Sequence, residues 1–313
     1  MSKANQILII ISLSIFFFSG CSKGINERKS VKRWGYKGKV KSAKITSYEG
    51  YDRYGTVIKG NCIDIPWYLL LNYYNSFNID GYEIETTYFD TNNNIKSKTT
   101  YNYNFLGNLS KSQSYKSNSN LTSTTTYNYR YFGRTVIERD YDSDGELKNT
   151  ETYKYNLNSK IASEIHSSIT YHFVYNKKNQ LIEKNQYINT PHKLKAKWVY
   201  EYNCNGKLIN TNSYSIINDY PNGRDSYTYD NNEKLIESSS YSGNKLQSKW
   251  TYKRDIKGNI TESNYFRGNR NDKKIVYMRY DWENNWTKSI MYEFLRDNKK
   301  NIYIVEREFE YYE

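Results

Sequence analysis

A tyrosine-anchored unit recurs along most of this chain: Tyr-x-Tyr, an Asp, Asn or Gly turn, then Leu or Ile, and another Tyr six residues later. Self-similarity of this kind constrains the architecture before any individual side chain is weighed, because repeated units bury their surface against their neighbours. Aligned on the second Tyr of each Tyr-x-Tyr or its near-equivalent, the anchors are Tyr103, Tyr129, Tyr155, Tyr175, Tyr202, Tyr229, Tyr252 and Tyr280, separated by 26, 26, 20, 27, 27, 23 and 28 residues. Each unit therefore holds two strands and two turns.

The first turn of a unit carries Gly107, Gly133, Gly145, Gly206 or Gly258, or Asn in their place, residues that tolerate positive φ and suit tight hairpins. A strand starter follows: Leu109, Leu147, Leu181, Leu208, Leu235 or Ile260. Two of the three prolines, Pro191 and Pro221, fall in the second set of turns, where no ladder hydrogen bond is required. The chain reads as a meander of hairpins.

Side chains alternate faces along a strand, so Tyr101 and Tyr103 share one face and Leu181 shares a face with Tyr187. Polar residues such as Glu183 and Asn185 lie between them, and neither face is a continuous apolar surface. The chain has 36 Tyr but only 37 % hydrophobic residues, which excludes an ordinary aliphatic core and leaves cross-strand aromatic and Ser/Thr pairs to hold the strands. Eight units imply roughly sixteen strands, and twisted open sheets rarely exceed about ten without curling. The expected fold is all-β, a meander of tyrosine-rich β-hairpin repeats forming a long, curled antiparallel sheet or open shell. A membrane-spanning barrel needs an apolar outward face on each strand, which the Ser/Thr/Lys alternation does not supply.

Tyr229-Asp230-Asn231-Asn232-Glu233-Lys234-Leu235, Tyr141-Asp142-Ser143-Asp144-Gly145-Glu146-Leu147 and Tyr51-Asp52-Arg53-Tyr54-Gly55-Thr56-Val57 resemble the YD repeats of Rhs and teneurin-type proteins. The resemblance implies a curled hairpin sheet. Rhs proteins enclose a toxic C-terminal domain, but this chain ends in a strand-like stretch, Ile302 to Tyr312, so toxin delivery is not carried over.

The N-terminus reads as a secretory signal: Lys3, an apolar run from Ile7 to Phe18, then Ser19-Gly20-Cys21. Ser19-Gly20-Cys21 resembles the lipobox of bacterial lipoproteins, which implies cleavage before Cys21 and acylation of that cysteine. Between Ser22 and Lys44, nine basic residues face one acid, Glu27, so this segment holds most of the net charge of +13. Beside a lipid anchor it reads as a membrane-hugging tether, each Lys or Arg near anionic headgroups contributing on the order of 1 kcal/mol. Nucleic acid is a poor partner: no finger spacing or RNA-recognition signature is present. The expected organisation is a signal peptide over 1–20, a lipidated cysteine and basic tether over 21–44, and the repeat domain over 45–313. Residues 60–80 interrupt the pattern with an apolar stretch from Asp64 to Leu71, expected as a short helical cap. The expected address is the cell envelope, at the outer membrane of a Gram-negative bacterium, with the face left open.

Chemistry is sparse. Asp140, Asp142, Asp144, Gly145 and Glu151 match the spacing of an EF-hand calcium loop, though the flanks read as strands and Lys148 occupies the ninth place. His166, His172 and His192 are scattered, with no nucleophile order around them. Cys62 and Cys204 are far apart and form no metal or disulfide pattern. Trp198, Trp250, Trp282 and Trp286 could stack on sugar rings, and the Trp282 to Trp286 segment breaks the repeat most clearly. The reading is a non-enzymatic, lipid-anchored envelope scaffold or interaction surface with a protein or glycan partner. The alternative is a carbohydrate-binding lipoprotein, with or without Ca²⁺; no other cofactor is expected.

Overall fold

The computed structural model describes residues 30–64, 72–190, 193–215, 221–295 and 299–313. A one-turn helix, α1 (Ser30–Arg33), precedes 21 strands. They are β1 (Val40–Arg53), β2 (Thr56–Cys62), β3 (Asn72–Phe77), β4 (Glu83–Phe89), β5 (Ile95–Tyr103), β6 (Leu109–Lys116), β7 (Leu121–Arg130), β8 (Thr135–Asp142), β9 (Leu147–Tyr155), β10 (Ile161–Ile165) and β11 (Ile169–Tyr175). There follow β12 (Leu181–Ile188), β13 (Lys193–Tyr202), β14 (Leu208–Ser215), β15 (Gly223–Tyr229), β16 (Leu235–Ser242), β17 (Lys245–Arg254), β18 (Ile260–Arg267), β19 (Arg270–Tyr280), β20 (Trp286–Phe294) and β21 (Lys300–Tyr311).

From β3 to β21 every strand pairs antiparallel with the next, as the repeat requires. The expected open edge is absent. β1 pairs with β21 from Val40↔Tyr311 to Gly50↔Ile302, and its other edge takes β3 and β2, so the sheet closes into a 20-strand barrel. Closure replaces the curled open sheet because joining the two terminal strands removes both rows of unpaired backbone groups.

β2 and β3 together form one wall strand interrupted by an insertion. β2 reaches β1 at Cys62↔Tyr48 and β3 resumes at Tyr73↔Ile45. Asn72, only 4 % exposed, bridges the gap: its Oδ1 accepts from Ser47 N at 2.8 Å and its Nδ2 donates to Ile63 O at 2.8 Å. Of the expected cap over 60–80, the described parts are strand and turn, and residues 65–71 lie outside the described residues. The wall begins at Val40, which places Lys41 and Lys44 of the basic segment in β1.

The two wall faces differ in chemistry. One carries the aromatic rows, including Tyr101, Tyr103, Tyr127, Tyr171, Trp198 and Trp250, alternating with Ser and Thr; register joins them strand to strand, as in Trp250↔Tyr265 and Trp198↔Ser213. The other carries cross-strand ion pairs, Lys98–Glu85 at 2.5 Å, Lys197–Glu183 at 2.6 Å and Lys274–Glu262 at 2.9 Å. Burial pushes Glu164 and Asp225 up on the aromatic face, whereas lysines pull Glu183 down on the other and hold Glu262 at about 2. The aromatic face is therefore the crowded, concave one and lines the lumen; the ion pairs face out. Twenty strands at about 4.8 Å spacing enclose a ring roughly 30 Å across before tilt, a size class that leaves a water-filled lumen rather than a packed core. Accordingly, the described apolar clusters lie at the seam, where Tyr36, Val40, Ala43, Ile45 and Phe77 pack together, and on β20 and β21 beside it.

Candidate functional site

From β3 onward, the turns joining each odd-numbered strand to the next even-numbered strand gather at one end of the barrel, and the β1–β2 hairpin lies at the other because β1 runs antiparallel to both β3 and β21. Eight of them share one construction, starting at Asn78, Asn104, Asn156, Asn176, Asn203, Asp230, Asp255 and Asp281. In each, the first side chain's Oδ1 accepts from the backbone N–H four residues on, as Asp230 does from Lys234 at 2.8 Å. Asn and Asp are interchangeable there because only that one oxygen is used. The fourth residue takes positive φ: Gly in four turns, but Ser159 (57°), Asn179 (59°), Glu233 (60°) and Asn284 (62°) in the rest. The ladder slips where the odd strand enters these turns, for example between Thr228 and Tyr229, the signature of a turn followed by a G1 bulge.

The anchor tyrosines Tyr103, Tyr175, Tyr202, Tyr229 and Tyr280 sit at that slip, and Tyr129 makes the same bond beside a ladder that does not slip. Tyr103, Tyr129, Tyr175, Tyr202 and Tyr229 donate their hydroxyls to the backbone carbonyls of Glu83, Leu109, Ile161, Leu181 and Leu208, at 2.7 to 2.8 Å. Tyr280 does the same to Ile260, and Tyr312 closes the series on Phe77 at 2.6 Å. These tyrosine hydroxyls are thus bound to backbone. The alignment changes at one unit: Arg254, not Tyr252, pairs with Ile260, and its guanidinium donates to Leu235 O and Gly258 O. Tyr252 sits two residues earlier on the lumen wall, its hydroxyl pushed to about 12 by burial.

Three of the four named tryptophans line the lumen. Trp250 packs with Tyr252 and Tyr265, with ring centroids 6.4 and 5.0 Å away. Trp198 borders an aromatic nest filled by Lys184, whose Nζ lies 4.1 Å from the Tyr171 centroid, 5.2 Å from Phe173 and 5.7 Å from Trp198. Trp286 is covered by the Arg307 guanidinium at 3.5 Å. The fourth, Trp282, is 73 % exposed on a turn tip, leaning on Tyr311 at 4.8 Å.

The Trp282 to Trp286 break has a structural cause. Asn285, 4 % exposed, accepts from Lys37 N at 2.8 Å and donates to Lys37 O at 2.9 Å and to Tyr311 Oη at 2.8 Å. This turn receives the segment that leads into β1, so the repeat fails where the barrel is stitched shut. Nearby, Glu83 is buried and accepts from Trp34, Asn75 and Thr86; desolvation raises its pKa despite those donors.

The calcium-like loop falls on strands β8 and β9 and the turn between them, at the opposite end. Asp142 is taken up by the turn, accepting from the Asp144 and Glu146 amides and pairing with Lys148 at 2.7 Å. Asp140 accepts from Thr125 Oγ1, and Glu151 accepts from Tyr153 and meets His166 Nδ1 at 2.9 Å. Asp144 lies at the exposed tip. Among the described residues no cluster has a metal-ligating arrangement. His172 faces outward against Tyr187, 5.3 Å away, so the histidines do not converge; His192 lies outside the described residues. Cys62 and Cys204 are free and lie towards opposite ends of the barrel. Cys21 and residues 22–29 also lie outside the described residues.

This geometry defines a closed antiparallel β-barrel built from hairpin repeats. No family model and no curated protein matches the chain. Among solved structures, the TcdB2-TccC3-Cdc42 complex is similar at 10 % identity and TM-score 0.33, covering 74 % of this chain and 18 % of that one. This chain therefore spans less than a fifth of that chain's length. A Photorhabdus luminescens Tc holotoxin pore gives 10 % identity and 0.32, over 76 % of this chain and 23 % of that one. A porin-like protein from Bacteroides uniformis gives 11 % identity and 0.37, over 88 % and 99 %. At these identities and scores none of the likenesses assigns an activity.

Proposed function

We propose that this chain is a non-enzymatic envelope protein, lipid-anchored through Cys21, whose barrel acts as a scaffold and interaction compartment. The observation that supports it most is the difference between the wall faces: cross-strand Lys–Glu pairs with tyrosines such as Tyr115 and Tyr214 outward, and tyrosine and tryptophan rows with serine, threonine and acids such as Glu164 and Asp225 inward. An outward row of Lys and Glu is costly against acyl chains, so the wall stands in water and membrane attachment falls to the anchor. The lumen chemistry suits a polar, ring-bearing guest, with aromatic faces for stacking and hydroxyls for hydrogen bonds. A glycan is the favoured guest on that chemistry.

Two measurements test this. Cys21→Ser is expected to release the protein from membranes; unchanged retention and mass would refute the anchor. A glycan array with the chain from Ser22 onward is expected to give binding that Trp198→Ala abolishes. Trp198 is the chosen position because Trp286 lies at the seam, where truncation would disturb closure itself. An array with no binding would leave the scaffold role to protein partners.

A further inference from the structure

The two ends of the barrel use the same turn but dress it differently. At the odd-to-even end, the residue after the leading Asn or Asp is Ile79, Phe105, Leu157, Ile256 or Trp282 in five of the eight turns. At the other end, the three turns with the same backbone bonds have Thr91, Ser117 and Ser143 there. Phe105, Ile256 and Phe132, the last on the remaining turn of the apolar end, are 96, 104 and 109 % exposed, and Leu106 and Tyr131 project beside them. Of the described large apolar and aromatic side chains, the most exposed lie on this rim; the exception is Tyr54, at the tip of the β1–β2 hairpin. Nothing in the turn requires them, since backbone and Asx bonds hold the same geometry with serine or threonine at the far end.

Charged residues accompany the apolar tips. Lys160, Lys177, Lys178, Lys207, Lys234 and Lys257 stand among them together with Asp80, Asp230, Glu233, Asp255, Asp281 and Glu283, the lysines gathering around the β9–β10, β11–β12 and β13–β14 turns, while the β4–β5 and β8–β9 turns at the other end carry Asp90, Asp142, Asp144 and Glu146. The chain also enters the fold at the apolar rim: Val31 N donates to Gly81 O, and Lys37 docks on the Asn285 and Asn259 turns. Neighbouring turns are tied to one another, Asn158 to Asn179 at 2.7 Å and Gln180 to Gly206 O at 3.2 Å, so the tips are presented as one connected crown.

We infer that this rim is a membrane-docking surface, on which the barrel stands with its apolar tips in the headgroup region of an anionic bilayer. Interfacial elements that present apolar side chains with lysines beside them enter about 5–10 Å into the headgroup boundary. Ser30 lies nine positions after Cys21, a reach of about 30 Å at most, so an acylated Cys21 holds this rim, not the other, near the lipid. The choice of a bilayer as occupant rests on the anchor reading; the rim's composition does not.

The test uses the chain from Ser22 onward, without acyl groups, and vesicles of phosphatidylcholine with and without phosphatidylglycerol. Wild type is expected to bind the anionic vesicles, with Trp282 fluorescence quenched by brominated acyl chains and the quenching lost in Trp282→Phe. The variant F105S/F132S/L157S/I256S is expected to bind at least tenfold more weakly at an unchanged thermal midpoint, since these side chains are solvated in the fold. Lys177→Glu with Lys178→Glu should weaken binding chiefly at low salt. Binding lost on deleting residues 22–29 but kept by the rim variant would overturn the docking surface while leaving the anchor reading intact. Absence of vesicle binding, or concentration-dependent self-association abolished by the rim variant, would also overturn it.

Discussion

Ser159 and Glu233 occupy the left-handed position of their turns, with φ of 57° and 60°, where four sister turns have glycine. A side chain with a Cβ costs about 1–2 kcal/mol there, and glycine gives back roughly 0.5–1 kcal/mol of that through its extra freedom in the unfolded chain. Each replacement by glycine should therefore stabilise by about 0.5–1 kcal/mol. Both side chains are exposed, and the Lys207–Glu233 ion pair that the second replacement removes is 3.5 Å long, a surface pair contributing a few tenths of a kcal/mol or less. Two other turns lie between these two, so the effects should add to about 1–2 kcal/mol, or roughly 2–6 °C in thermal midpoint. The reverse change is a clean control: Gly145 has φ of 83° and an added Cβ meets nothing within 4 Å, so Gly145→Ala isolates the backbone cost at about 1 kcal/mol. The assay is thermal and urea unfolding followed by circular dichroism. A Ser159→Gly, Glu233→Gly double variant no more stable than wild type, with Gly145→Ala neutral, would refute the account of these turns.

Tyr202→Phe removes one hydroxyl donor from Leu181 O and should cost about 1 kcal/mol in urea unfolding, with the lumen aromatic row unchanged in near-ultraviolet dichroism. Asn285→Ala leaves the Lys37 amide and carbonyl without their side-chain partner at the seam and should cost about 2–4 kcal/mol, with faster exchange of β1 amides. Two acids should respond to pH with opposite sign. The folded pKa of Glu262 is depressed to about 2, chiefly by Lys274, so its contribution is present above its unfolded value near 4.5 and is lost as pH falls towards 2; Glu262→Gln should flatten that limb of the stability profile. Burial raises Asp225, so its ionised form opposes folding at neutral pH; Asp225→Asn should stabilise at pH 7, and the gain should fade as acid protonates the wild-type side chain.

The hairpins are legible in the sequence because their signals are local. Asn or Asp followed by glycine three residues on specifies the bulged turn, and alternation places Tyr101 and Tyr103 together on one face. The role of the tyrosine hydroxyl is not legible, since its acceptor sits on the neighbouring strand about twenty residues back, as in Tyr202 to Leu181. Arg254 escapes a sequence reading because a guanidinium can reach the same carbonyl from the tyrosine's place, leaving Tyr252 as the apparent anchor. Closure is hidden because its partners lack the repeat: β1 is irregular, and the strand opposite it breaks between Cys62 and Asn72, with Asn72 bridging the gap. The Trp282 to Trp286 break is visible, but its cause is a backbone interaction with Lys37, far away in sequence. The rim emerges only once topology shows which turns share an end.

The join between β1 and β21 also sets an order of assembly. Val40 opposes Tyr311, about 270 positions away, whereas the other hairpins pair residues within a few tens of positions. Local hairpins close early and distant pairings late, so the residues of β21 complete the ring only after the rest of the sheet has paired. Until they arrive, β1 and the growing end of the sheet both present bare backbone, ready templates for pairing with another chain. A nascent molecule is thus at its most adhesive just before it is finished, and truncation within β21 would hold it in that state.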